Sequence, residues 1–208
     1  MSAKKSVFVF IVAFIFLVFS LVVYVAVEPK RIDVEFFRLL ESGDEEKLNK
    51  FITEISNKNF QKYVYFSSLI DYFDGRDKEA VEGFLSLISN GGISEKELGI
   101  SKFIVGYYLL FEKNDMRGMS FILSPESYKY FSEYVNYFIG LYNFERENYD
   151  EALKFFLVIT NSSDENMRKS VLARIAFIEL VKDNKVSKEV KDQLKSIDKD
   201  LFYNLIKE

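Results

Sequence analysis

The chain has no His and no Cys among its 208 residues, and this restricts its chemistry sharply. Without His, the arrangements that activate a Ser or Cys nucleophile are missing. Without His and Cys, the usual zinc and transition-metal ligand sets are missing too, and no disulfide framework can form. Carboxylate, Lys and Tyr chemistry remains. The acids gather at Asp44-Glu45-Glu46 and at Asp150-Glu151. A paired-carboxylate enzyme needs two acids converging in one pocket. Both clusters instead stand where a polar turn passes into an apolar-periodic segment. They read as helix starts, where negative charge complements the helix dipole. The expectation is a protein that is not an enzyme and holds no cofactor or metal. The net charge of −4, or −6 with Lys4 and Lys5 set aside, leaves no electrostatic footprint for nucleic acid.

Recognition is the remaining chemistry, and its residues are aromatic. Aromatic side chains make up 17% of the sequence. Three corresponding positions of successive helices hold Tyr65, Phe103 and Tyr137, then Leu69, Tyr107 and Leu141, then Tyr72, Leu110 and Phe144. A contiguous apolar row that meets water marks a binding site. Tyr suits such a row because it offers area and one polar handle at low entropy cost. Three readings stay open for these nine residues. The row is covered by the chain's own helices, or it is a groove for a protein or peptide segment, or it is a face for self-association. Tyr128, Tyr130 and Tyr134 read as packing residues.

The elements that would position this row follow a repeating grammar. In Asn148-Tyr149-Asp150-Glu151-Ala152, a turn passes into a helix, and Phe156 follows Ala152 by four residues. Residues four apart share a helix face. Ala152 admits a neighbouring helix, and Phe156 fills the core beneath it. The pattern recurs at Asp77-Lys78-Glu79-Ala80 with Phe84, at residues 115–122 with Gly118 in the small position, and weakly at residues 44–51. The turn positions 44, 77, 115 and 149 are separated by 33, 38 and 34 residues. Ser68, Gly106 and Gly140 lie nine positions before three of these turns. A period in the mid-thirties with two helices per unit is the signature of a helical repeat array.

The steps Val105-Gly106, Ile139-Gly140, Ala80/Phe84 and Ala152/Phe156 resemble the tetratricopeptide repeat pattern over residues 32–183. The family's early aromatic position is occupied by Val64, Lys102 and Asn136, and its terminal Pro is absent. The resemblance implies a solenoid of four to five helix pairs. The first helix of each pair would line a concave surface that takes protein or peptide segments.

The N-terminus carries a different signal. Ser6 to Val27 contains no charge. As a helix, its 22 residues rise about 33 Å, enough for a hydrocarbon core of roughly 30 Å. The reading is a tail at residues 1–5 and a single-pass signal anchor at residues 6–27 in the cytoplasmic membrane. A tetratricopeptide-like domain follows at residues 28–183 on the extracytoplasmic side, with a capping helix at 184–208. This layout resembles the ancillary tetratricopeptide subunit of the bacterial secretion translocon. The resemblance implies contact with secretion or envelope-assembly machinery. The alternatives are a self-associating envelope component, as a homo-oligomer, and a scaffold facing the cytoplasm.

Helix punctuation is explicit along the rest of the chain. Ser94 with Glu97 has capping-box spacing, and Ser89-Asn90-Gly91-Gly92 ends the helix before it. One uninterrupted helix is expected from Ser94 to about Asn114, and another, capped weakly by Ser124 three residues before Ser127, to about Arg146.

Overall fold

A computed structural model describes residues 31–197. These residues are all-α, with ten helices and no strand among them. The helices fall into five successive pairs. The first is α1 (31–42) with α2 (Glu45–Lys58), and the second is α3 (Phe60–Phe73) with α4 (Asp77–Asn90). The third is α5 (Glu95–Tyr107), extended by a π turn (Tyr108–Glu112), with α6 (Arg117–Ile122). The fourth is α7 (Pro125–Phe144) with α8 (Tyr149–Val158), and the fifth is α9 (Glu165–Asp183) with α10 (Lys188–Ile197).

One backbone device recurs in every pair. The turn between its two helices holds one left-handed residue: Gly43, Gly75, Asn114, Glu147 and Asn184, with φ of 67°, 75°, 49°, 60° and 52°. A left-handed residue just past a helix end reverses the chain within a few residues. Gly and Asn adopt that conformation most cheaply. The fifth turn makes α9 and α10 a further unit of the same kind.

The chain divides after Phe66, inside α3, into two compact units. In the first, Phe36 and Phe66 are fully buried and stack at 4.2 Å between ring centroids. Leu39, Ile55 and Tyr65 complete that core. Lys62 reaches Asp33 at 2.6 Å and lies 5.4 Å from the Phe66 ring.

In the second unit the small–large grammar becomes packing. Each of the second, third and fourth pairs has a small residue on the first helix, a second small residue twelve positions on, and a large apolar residue sixteen positions on. These sets are Ser68/Ala80/Phe84, Gly106/Gly118/Ile122 and Gly140/Ala152/Phe156, and all nine residues are buried. A Cβ on Gly106 would lie 2.5 Å from Ile122 Cγ1 and 2.8 Å from the Gly118 carbonyl oxygen. A Cβ on Gly140 would lie 2.5 Å from the Phe156 ring. The helices touch where the side chain is missing.

Successive pairs are also tied at matching places. Lys102 of α5 meets Glu126 of α7 at 2.7 Å. Arg146 donates to Asn114, joining the turns of the third and fourth pairs, and Lys182 reaches Asp150 between the fourth and fifth. The last pair closes over Val171, Ile175 and Ile178, with Val186, Val190 and Leu194 packed against them.

Several local expectations change. Ser94 does cap α5 through a complete capping box with Glu97, but that helix does not run on to Asn114 as α-helix. After Tyr107 it opens into the π turn, where the Lys113 N–H reaches back to the Tyr108 carbonyl. One extra residue enters the turn, and the following side chains rotate off the α-helical face. The next helix starts at Pro125 under the expected Ser124 cap, whose hydroxyl accepts from the Ser127 N–H. It is kinked at Phe131, with φ −135° and ψ 30°.

A larger expectation is corrected. Residues 6–27 lie outside the described residues. Among the described residues no helix is long and apolar enough to cross a membrane. The longest, α7, has 20 residues but carries Glu126, Lys129 and Glu133, whereas a spanning helix needs about 20 predominantly apolar ones. The described residues therefore form an all-α repeat-like packing, and none of their helices is a membrane-spanning one.

Two expected results follow from these contacts. Ser94→Ala removes the acceptor for the Glu97 N–H and should lower stability by about 1 kcal/mol, read from a shifted urea midpoint with unchanged slope. The Lys102 ammonium beside Glu126, then the Glu126 backbone N–H, hold that carboxyl below its ordinary range. Its contribution to stability is thus present above the ordinary carboxylate pKa and is lost as pH falls through the lowered folded-state value. Glu126→Gln should flatten the acid limb of a stability–pH curve measured between about pH 7 and pH 3. An unchanged limb would mean that the pair contributes nothing.

Candidate partner-binding face

The nine residues of the aromatic row divide by burial. Tyr65, Leu69 and Leu110 are 3%, 4% and 1% exposed. They belong to the core, which corrects their place in a water-facing row. For Tyr65 and Leu69 the reason is that α3 is apolar on nearly all sides, and such a helix is covered on more than one face. Leu110 follows buried Gly106 by four residues and packs in the core with Ile122 and Val135. Tyr72, Phe103, Tyr107, Tyr137, Leu141 and Phe144 are half-buried.

Those six do not stand alone. A continuous series of rings runs along α5 and α7. Phe131 lies 5.5 Å from Phe103, Phe103 lies 5.8 Å from Phe138, Phe138 lies 5.1 Å from Tyr107, and Tyr107 lies 5.1 Å from Phe111. Tyr137 meets Phe138 edge-on at 5.3 Å. The kink at Phe131 places the first ring of this series. A second group joins Phe144, Tyr149 and Phe177, with the Arg174 guanidinium 5.7 Å from the Phe144 ring. Phe111, Phe131 and Phe138 are half-buried and lie outside the nine expected residues. Phe111 lies four residues after Tyr107 and Phe138 seven after Phe131, so helical periodicity does carry a signal for both.

Two clefts flank the rings. The larger, about 390 Å³, is lined by Tyr72, Asp77, Val81, Tyr107, Tyr108 and Glu112 among others. Burial, then Tyr107 and Asp77, raises the Tyr72 hydroxyl above its ordinary pKa. Burial, then Glu112, Asp77 and Glu145, does the same at Tyr107. Both phenols therefore stay neutral hydrogen-bonding groups beside two carboxylates. Asp77 opens α4 in keeping with its helix-start role, but it also faces this cleft. The smaller cleft, about 220 Å³, lies between Tyr134, Tyr137 and Phe138 of α7 and Asp164, Asn166 and Met167 at the start of α9. Tyr137 is held there by a 2.9 Å hydrogen bond with Ser170.

Tyr128, Tyr130 and Tyr134 are exposed rather than packed, at 43%, 38% and 46%. Tyr130 donates to Glu95, and Tyr128 accepts from Asn136. Tyr130 lies against α5 beside Gly99, and Tyr134 lines the smaller cleft. Among the described residues no group of three or more acids is placed to hold a metal ion.

In comparisons with protein families, curated proteins and solved structures, no family model, no curated protein and no solved structure matches this chain.

Proposed function

We propose that this protein is a tetratricopeptide-like scaffold that binds a segment of another protein along the rings of α5 and α7. The observation that carries the reading is the half-buried series Phe131–Phe103–Phe138–Tyr107–Phe111 with a cleft on either flank. Rigid half-exposed aromatics beside pockets are the usual anchors of segment recognition. The tetratricopeptide assignment is supported by the twelve- and sixteen-residue spacings and by the recurrent turn. Departures from the family's early aromatic position have local explanations. Lys102 pairs with Glu126, and buried Asn136 donates to the Ser132 carbonyl at 2.8 Å.

The test is a peptide-display selection on the full chain, with affinities then measured for Phe103→Ala and Tyr107→Ala. Both positions are half-buried, so the variants should keep their helical signal and cooperative melting. Binding should weaken roughly tenfold or more, as truncation of an anchor does. Unchanged affinity in folded variants sinks the reading. Unfolded variants would mean that the rings are structural.

A second reading is self-association. Phe177, Leu180 and Val181 lie at i, i+3 and i+4 on α9 and are 44%, 37% and 53% exposed, forming an apolar strip that suits a second copy. A mass that stays monomeric across a hundredfold range of concentration removes it.

A further inference from the structure

We infer that the cleft between Tyr72 and Tyr107 is the seat for an arginine side chain of the bound segment. This inference rests on the segment-binding reading above and specifies the partner's chemistry at one place.

Four features meet in that cleft. Its lining includes Tyr72, Tyr107 and Tyr108 with the apolar Val81, and of these rings Tyr108 already has the Lys113 ammonium 5.0 Å from its centroid. Two carboxylates, Asp77 and Glu112, come from different elements, the start of α4 and the π turn. No Lys or Arg lines it. Neither carboxylate has an ion-pair or hydrogen-bond partner, and neither the Tyr72 nor the Tyr107 hydroxyl has a hydrogen-bond partner, among the described residues. Elsewhere in the second unit the acids that face another element are mostly matched. Glu126 has Lys102, Glu95 has Lys129, and Asp150 has Lys182. Asp77 and Glu112 are unmatched and face an open volume.

The chemistry complementary to this arrangement is cationic, planar and long-stemmed. A guanidinium stacks on aromatic faces and offers several donors in a fixed fork. Its hydrogen bonds to carboxylates are strengthened by charge. Its methylene stem would run along the apolar lining. A lysine ammonium matches the charge but lacks the planar face and the fork. An anion is opposed by both carboxylates, of which Asp77 is half-buried and therefore screened less than a group in bulk water. About 390 Å³ is ample for one such side chain.

The first measurement is tyrosine-ring NMR of the full chain titrated with N-acetyl-arginine amide. The matched control is N-acetyl-citrulline amide, which is nearly isosteric and uncharged. Ring signals of Tyr72 and Tyr107, assigned through Tyr72→Phe and Tyr107→Phe, should shift with the arginine probe and not with citrulline. The second uses the tightest peptide from the display selection. Replacing its arginine by citrulline should weaken binding roughly tenfold or more, and Asp77→Asn with Glu112→Gln should weaken the arginine peptide but not the citrulline one. Replacement by lysine should fall between. If arginine and citrulline probes behave alike at both rings and the carboxylate variants bind unchanged, the arginine seat is wrong, while binding lost in Phe103→Ala leaves the segment-binding reading standing. If no peptide binds and neither probe shifts the rings, both fail.

Discussion

Phe156→Ala should lower the stability of the protein by about 3–5 kcal/mol, the range for deleting a buried ring. Phe156 has no exposed surface. It lies in the cluster with Val171, Leu172, Ile175 and Leu194, so it joins the fourth pair to the fifth. Its ring fills the space left by Gly140, where a Cβ would come within 2.5 Å of it. Two neighbouring helices already meet at that point, so the cavity cannot close by a local shift. Chemical denaturation at several probe wavelengths measures the loss, and Phe156→Leu should recover much of it. The pairing with Gly140 has its own signature. Gly140→Ala should be less damaging in Phe156→Leu than in the unaltered chain, and a double-mutant cycle reads that difference directly. Strict additivity would show that the two positions do not share the space.

Gly106→Val should cost about 3 kcal/mol, near the upper end of the usual range for overpacking. The obstruction here is mostly backbone. A Cβ would stand 2.8 Å from both the Gly118 carbonyl oxygen and the Ile122 nitrogen, and 2.5 Å from Ile122 Cγ1. A side chain can rotate away, but the start of α6 would have to move as a whole. Gly106→Ala should also destabilise, although less, because alanine regains up to about 1 kcal/mol of helix propensity over glycine. The two variants are compared by thermal and urea unfolding. A neutral Gly106→Val would mean that α6, a helix of only six residues, gives way without consequence, and that the third pair is held by α5 and α7 alone. Loss of stability with an intact α5–α7 ring series would locate the damage in α6.

Much of the fold was legible because its signals are local. The capping box at Ser94 and Glu97 depends on residues three apart. The Ala152/Phe156 step depends on residues four apart, and it placed the start of α8 correctly. The left-handed turn residues were visible as Gly75 and Gly43, but hardly at Glu147, whose φ of 60° no side-chain preference announces. The kink at Phe131 and the π turn at Tyr108–Glu112 had no sequence mark. Both are adjustments of a helix to its neighbours, and neither carries a Pro or Gly to betray it.

By itself, the amino-acid sequence determined that this chain forms helices in pairs, where most of them begin and end, and which small residues let them approach. It also removed nucleophile–His and zinc chemistry by omitting His and Cys. Only the tertiary structure decided which residues of the row are covered. Tyr65, Leu69 and Leu110 went into the core, Tyr72 and Tyr107 came to face a cleft, and Phe138 joined the ring series beside Tyr137. The physical reason is that a 3.6-residue period identifies which side chains share a face, whereas burial depends on what another element brings against that face. Asp77 and Glu112 came together for the same reason: they are 35 positions apart in the chain, and only the packing of α4 on α5 and its π turn brings them to one cleft.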